Sequence, residues 1–162
     1  MTNERPNAPR TPQGAPAAPV SPASPATGEV AYPADKMPSI RQVMMPRDTN
    51  AVGTIFGGVI LSQIDLAAAI EAHRSHPARI VTVAMDKVIF KQPVFVGDAV
   101  SFFTETTRVG RTSITVHVSV WAQRRFGAGE HVHVTEADVT MVAVDDQMRP
   151  MAVLNPGGAR QG

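Results

Sequence analysis

The hydrophobic pattern of this chain changes its period once, and that change limits the possible folds more than any other feature. From about Gly58 to Arg74 the sequence GVILSQIDLAAAIEAHR is apolar around most of a helix's circumference, as expected for a core helix. After residue 79 the apolar residues follow a period of two, which predicts β-strands. One apolar helix and a sheet with one face to cover predict an α+β domain, in which an antiparallel sheet wraps around one long central helix.

Five strand candidates, rich in β-branched and aromatic residues, supply the sheet. One precedes the helix and four follow it: SIRQVMM, IVTVAMDKVIF, AVSFFTETTRV, SITVHVSVW and HVHVTEADVTMVAV. In SITVHVSVW we expect one apolar face, made by Ile114, Val116, Val118 and Val120. Glycine-containing turns separate the later strands and favour antiparallel neighbours.

The two ends of the chain differ in composition from its middle. Residues 1–36 are rich in proline and alanine and offer too little apolar surface to offset the entropy of ordering. We expect a disordered tail there, although a proline-binding partner is an alternative. Residues 37–150 then form one domain, and residues 151–162 form a flexible C-terminal tail.

Charge and composition exclude several classes of function. The 162 residues include 15 basic and 14 acidic ones, a balance that predicts no surface for nucleic acid or for an anionic membrane. The sequence has no cysteine, no apolar stretch as long as a membrane span and no secretory signal at its N-terminus. We expect a cytoplasmic protein.

Gly57 and Gly58 stand where the helix should begin. The first turn of a helix presents unpaired N–H groups and a partial positive charge, and glycine lets a ligand approach them closely. These two residues therefore suggest a site for an anion, with a tight turn or close packing as the alternative. Asp65 is the other unusual residue, because a lone carboxylate in an apolar run is costly to bury.

Asp65 lies seven residues beyond Gly58, on nearly the same helical face and ~10 Å further along the axis. No Lys or Arg lies within one helical turn of it. The carboxylate would suit a general base. The alternative is a structural carboxylate, hydrogen-bonded to Ser62 or to a neighbouring strand.

Two further groups of polar residues deserve an interpretation. The turn RVGRTSI combines Arg108 and Arg111 with the hydroxyls of Thr112 and Ser113; it predicts either a phosphate contact or a solvated charged turn. His131 and His133 share one strand face, but no third ligand is spaced to complete a metal site. We expect no metal.

Three blocks, DTNAVGTIFGGVILSQID, RIVTVAMDKVIFKQPVFVGD and RVGRTSITVHVSVW, resemble the hotdog-fold acyl-CoA thioesterases, and among them the YciA-like group. The resemblance extends from about residue 38 to residue 145. It implies a hotdog fold and hydrolysis of an acyl-CoA substrate without a separate cofactor. It also implies a homodimer as the smallest unit, with active sites at the interface, and a trimer of such dimers as the complete assembly.

The resemblance also implies roles for individual residues. Gly57 and Gly58 would hold the thioester carbonyl oxygen, and Asp65 of the other protomer would activate water or attack directly. Asn50 would position the water or the carbonyl. The hairpin with Arg108, Arg111, Thr112 and Ser113 would meet the nucleotide part of CoA.

This chain departs from its apparent relatives at a few positions. Relatives often carry an acidic residue at the position of Thr54, Trp at that of Val59 and glycine at those of Ala68 and Ala69. Because these residues could shape the pocket, the resemblance does not predict which length of acyl chain is preferred. Two other functions compete with hydrolysis: an acyl-thioester dehydratase or hydratase, and a non-catalytic acyl-CoA-binding protein. The dehydratase typically needs a catalytic histidine, and none falls at the helix start.

Overall fold

A computed structural model describes residues 30–76 and 79–153 of the chain. They form one helix, α1, and five strands, with a short 3₁₀ turn at Pro46–Asp48 before α1. The elements are β1 Ile40–Val43, α1 Gly57–Ser75, β2 Ile80–Asp86, β3 Ala99–Val109, β4 Ser113–Gln123 and β5 His131–Ala143.

The strands form one antiparallel sheet in the order β1-β3-β4-β5-β2. The helix lies across one face of this sheet and contacts β3 and β4 most extensively. This is the predicted α+β architecture, an antiparallel sheet around one long helix. Since β4 pairs with β3 on one side and β5 on the other, its helix-facing side chains lie at the centre of the core.

The core joins the inner face of the sheet to one side of α1. Ile114, Val116, Val118 and Val120 are all fully buried, which confirms the face predicted for β4. Helix residues from the same core are Ile60, Ile64, Ala67, Ala68 and Ala72. The helix is not buried all round, however: Leu66 is 50% exposed and Ile70 is 37% exposed in the single chain. No helix among the described residues is long and apolar enough to cross a membrane.

Strand β2 is shorter than its sequence suggested. The alternating run continues to residue 90, but the strand ends at Asp86, and Lys87 adopts a left-handed backbone conformation with φ 59°. This conformation, unfavourable for a side chain with a Cβ, turns the chain out of the sheet. As a result Ile89 and Phe90 are exposed rather than paired.

Strand β2 also has a free edge. Among the described residues it pairs only with β5, through a bulge between Thr82 and Ala84, and Val83 on it is 58% exposed. The other strand at a sheet edge, β1, is only four residues long. A free edge with apolar side chains is a template for pairing with another strand.

The boundaries drawn for the two tails need correction. Tyr32, inside the segment predicted to be disordered, stacks on His131 with the ring centroids 3.9 Å apart and meets Phe103 and Trp121 edge-on. At the other end, the N–H of Val153 donates to the carbonyl of Arg111 at 2.8 Å. Composition missed both contacts because each depends on one apolar side chain or one backbone pair. Residues 1–29 and 154–162 lie outside the described residues, and disorder there stays a prediction.

Candidate active site

Helix α1 begins at Gly57, one residue earlier than predicted, and Phe56 is its N-cap residue. The side chain of Phe56 makes no capping hydrogen bond, and the N–H of Val59 turns back to the carbonyl of Phe56 at 2.9 Å. Within the described part of the chain, the N–H groups of Gly57 and Gly58 have no hydrogen-bond partner. Two adjacent donors are therefore available at the positive end of the helix dipole.

Aromatic rings lie beside both glycines, but only Gly58 is closely packed against one. A Cβ on Gly57 would lie 3.4 Å from the ring of Phe90, and a Cβ on Gly58 would overlap the ring of Phe56. Both rings are partly exposed, Phe56 at 59% and Phe90 at 45%. The alternative of close packing therefore fits Gly58 but not Gly57, and the anion site at the two N–H groups stays a prediction.

Asn50 organises the loop that leads into the helix. Its Oδ1 accepts hydrogen bonds from the N–H groups of Val52 and Thr54 at 3.0 and 3.2 Å, and its Nδ2 donates to the hydroxyl of Thr54 at 2.8 Å. A side-chain amide has two N–H donors, so one remains beyond the bond to Thr54. Since Thr54 and Gly57 line the same cavity, Asn50 lies at the glycine end of the helix.

Asp65 is partly buried on the middle of α1 and faces the edge strand β2. Its Oδ1 accepts a hydrogen bond of 2.6 Å from the hydroxyl of Thr82. The partner is thus a neighbouring strand, as the structural alternative anticipated, and Ser62 instead donates to the carbonyl of Val59. One oxygen of Asp65 is held by Thr82, while among the described residues no bond to Oδ2 is found.

Thr82 is the site residue that sequence reasoning missed. It is an exposed threonine in a run of alternating residues, the most ordinary choice for a solvent-facing strand position. Its role depends on the bulge between Thr82 and Ala84 and on the packing of β2 against α1. No local signal in the sequence reveals either feature.

The arginine hairpin lies at the opposite end of the protomer from Gly57. Just before α1, the N–H of Ile55 donates to the carbonyl of Val94, which precedes β3. Near the end of α1, Glu71 accepts hydrogen bonds from Thr104 and Thr106, which lie further along β3. Helix and β3 therefore run in the same direction. The turn at the end of β3 lies beyond the C-terminal end of α1.

The hairpin itself is ordered by backbone hydrogen bonds. The N–H of Gly110 donates to the carbonyl of Ser113 at 2.7 Å, and the carbonyl of Thr112 accepts from Ala143 at 2.9 Å. Arg108 and Arg111 are exposed, and no ion pair of either is found in residues 30–76 and 79–153. Both guanidinium groups are free to meet an anion.

Residues 52–125 match the sequence model of the thioesterase superfamily. An uncharacterized acyl-CoA thioester hydrolase of Haemophilus influenzae is 42% identical over 116 residues, which cover 70% of this chain and 75% of that protein. The chain belongs to the thioesterase superfamily.

Other members of the superfamily agree with this assignment. The acyl-CoA thioester hydrolase YciA of Escherichia coli is 38% identical over 116 residues, 70% of this chain and 88% of that protein. A hexameric hotdog fold thioesterase of Campylobacter jejuni is 49% identical, with a TM-score of 0.68 over 72% of this chain and 90% of that structure. The resemblance to YciA-like thioesterases and the hotdog fold are both confirmed.

His131 and His133, the two histidines considered as metal ligands, both stack on aromatic rings. His131 lies against Tyr32, and His133 lies against the indole of Trp121 at 4.8 Å. Burial and the positive charge of Lys91 lower the pKa of His133 below its usual value. No group of three possible metal ligands occurs among the described residues.

Proposed function

We propose that this protein hydrolyses acyl-CoA thioesters to free CoA and a carboxylic acid. The observation that carries the proposal is the pair of N–H groups at Gly57 and Gly58, which have no hydrogen-bond partner in the described part of the chain, with Gly57 lining a mainly apolar cavity. The names of its thioesterase relatives support it as well. CoA enters as part of the substrate, and no separate cofactor is needed.

The glycine N–H groups stabilise the charge that develops during the reaction. When an oxygen nucleophile attacks the thioester carbonyl, the carbonyl oxygen becomes an oxyanion. Donors already directed to that position lose no energy in reorganising, and one such donor typically contributes about 10²–10³ in rate. The aromatic rings of Phe56 and Phe90 lie beside these donors. They reduce the access of water to the donors and so strengthen the interaction.

Asp65 acts on a carbonyl held by the other protomer. Within one chain it lies ~10 Å along the helix from Gly58, too far to contact a carbonyl there. If the free edges of two β2 strands pair antiparallel, the end of each strand runs past the start of its partner. Phe90, just after β2, contacts Gly57, and Thr82 within β2 holds Asp65. The pairing therefore brings the helix start of one protomer toward Asp65 of the other.

The dimer formed in this way is the smallest active unit, and each dimer has two identical sites. The free edge of β2 and its exposed Val83 supply the contact. The C. jejuni relative is a hexamer, and we infer three such dimers for this chain as well.

The chemical step has two routes that use the same groups. As a general base, Asp65 takes a proton from water while the water oxygen bonds to the carbonyl carbon. The carbon–sulfur bond then breaks and the CoA thiolate takes up that proton. As a nucleophile, the carboxylate itself displaces the thiolate to form an anhydride, which water then cleaves. In both routes Asn50 uses its remaining amide N–H to orient the water or the carbonyl.

The arginine hairpin binds the nucleotide end of CoA. Arg108 and Arg111 are exposed and carry fixed forks of donors that suit phosphate, and Thr112 and Ser113 add hydroxyls. Because the hairpin lies far from Gly57 of its own chain, it serves a site to which another protomer contributes the glycines. Every site thus combines groups from more than one chain.

The test is the release of free thiol from acyl-CoA esters of increasing length, measured for the wild type and for Asp65→Asn. We expect the wild type to release thiol and the variant to keep its fold while losing about 10²-fold or more in kcat. Hydration of an enoyl-CoA without thiol release would indicate a hydratase instead. Tight binding of acyl-CoA without turnover would indicate a binding protein.

A further inference from the structure

A cavity of about 390 Å³ lies beside the first residue of α1. Its volume is near the lower end of the range of ~300–1,000 Å³ that is common for small-molecule pockets. Most of its wall is apolar. The residues that matter for its shape are Ile55, Gly57, Ile60, Phe90, Pro93 and Val94.

Phe90 is the large side chain of this wall that lies outside the core, and Pro93 is exposed beside it. Ile55, Ile60 and Val94 are at most 6% exposed and belong to the core, whereas Phe90 is 45% exposed on the chain that follows β2. Its ring lies in van der Waals contact with the position of a Cβ on Gly57, at 3.4 Å. It therefore bounds the cavity immediately beside the N–H donors.

A thioester carbonyl bound at Gly57, as proposed above, would have one of its two substituents beside this cavity, because Gly57 lines it. The pantetheine arm carries amide groups that require hydrogen-bond partners when they are buried. Two of the three polar side chains of the wall are engaged already: the ammonium group of Lys91 pairs with Glu136 at 3.1 Å, and the hydroxyl of Thr54 accepts from Asn50 at 2.8 Å. That leaves the amide of Gln92 for the two amide groups of a pantetheine arm. A hydrocarbon chain needs no such partners.

We propose that this cavity receives the acyl chain and that Phe90 is the residue that limits its length. The inference rests on the proposed thioester hydrolysis. It adds that the enzyme selects its substrate by the length of the acyl chain. Each methylene removed from water contributes about fourfold in binding. Selectivity therefore rises with chain length until the chain meets the ring of Phe90, and falls beyond that point.

The experiment measures kcat/KM for acetyl- to palmitoyl-CoA with the wild type, Phe90→Ala and Phe126→Ala. Phe126 is the matched control, since it is 80% exposed and forms no part of this cavity. In Phe90→Ala we expect the preferred chain to become longer by several carbons. The ratio of kcat/KM for dodecanoyl-CoA to that for butyryl-CoA should rise at least tenfold. In Phe126→Ala the ratio should stay within twofold of wild type.

A second variant protects the test against a failure of Phe90→Ala to fold. Gln92→Trp places a large side chain at a partly buried loop position on the same wall and should shorten the preferred chain. An unchanged length profile in both folded variants, with thiol release intact, overturns the role of Phe90 and of the cavity while the hydrolase function stands. If the wild type releases no thiol from any ester, the proposed function itself is wrong.

Discussion

The hydroxyl of Thr82 on the edge strand donates a 2.6 Å hydrogen bond to Oδ1 of Asp65 on the central helix. This bond fixes one carboxylate oxygen toward the sheet edge. It places the proposed catalytic group at the surface where a second protomer would pair. Its consequence for activity is direct, because a general base must be held in position before it can take a proton.

Replacement of Thr82 by valine removes this bond with little change in side-chain shape. We expect kcat to fall about ten- to hundredfold, in line with the ~1.5–3 kcal/mol typical of a hydrogen bond to a charged group, while KM and the melting temperature change little. Thr82→Ser keeps a hydroxyl and should restore most of kcat. A loss of thermal stability in both variants, with kcat unchanged, would show that Thr82 serves only to pack β2.

Much of the fold was predictable because the two periods of the hydrophobic pattern leave few alternatives. The face of β4 made by Ile114 and Val116 and the long apolar helix follow from spacing alone. The end of β2 at Asp86 was not predictable, since a left-handed Lys87 has no signal in composition. Tyr32 was missed for a similar reason: one aromatic ring in a proline-rich segment finds its partners only in three dimensions.

Some residues of the candidate site could be predicted from the sequence, but their arrangement could not. The glycines and Asp65 stood out because each is unfavourable in its local setting. Thr82 and Phe90 did not, because a threonine in a strand and an aromatic residue in an apolar run are ordinary there. Their importance arises from the packing of α1 against β2 and against the loop that follows it.

Arg111→Ala should weaken the binding of CoA esters specifically. We expect a severalfold rise in KM for acyl-CoA and almost no change for a short thioester that lacks the nucleotide, since only the former carries phosphates for the guanidinium to meet. Arg41→Ala, on strand β1, is a control in which both KM values should be unaffected. If Arg111→Ala raises both KM values equally, the hairpin does not contact the nucleotide.

Removal of the described part of the N-terminal segment should destabilise the domain, whereas removal of the residues before it should not. Tyr32 packs on Phe103, Trp121 and His131, and aromatic contacts of this kind contribute about 0.5–1.5 kcal/mol each beyond area burial. We therefore expect Tyr32→Ala, or deletion of residues 1–36, to lower the melting temperature by several degrees. Deletion of residues 1–29 should leave it unchanged.

The prediction is tested by calorimetry or fluorescence melting of Tyr32→Ala and of the two deletion variants, each compared with the wild type. Equal melting temperatures for both deletions would mean that the ring contacts of Tyr32 add nothing to stability. A large loss on deletion of residues 1–29 alone would mean that the proline-rich segment is not the independent tail that its composition predicts.

The division of each site between two chains is tested most directly by mixing two inactive variants. Asn50→Ala and Asp65→Ala should each be nearly inactive as homodimers. After subunit exchange, a mixed dimer has one site that lacks both groups and one site that retains both. With random pairing half the dimers are mixed, so thiol release should recover to about a quarter of the wild-type rate. If differently tagged chains prove that mixed dimers form and the rate stays at the level of the parents, the shared site is contradicted, and Asp65 serves its own protomer or none.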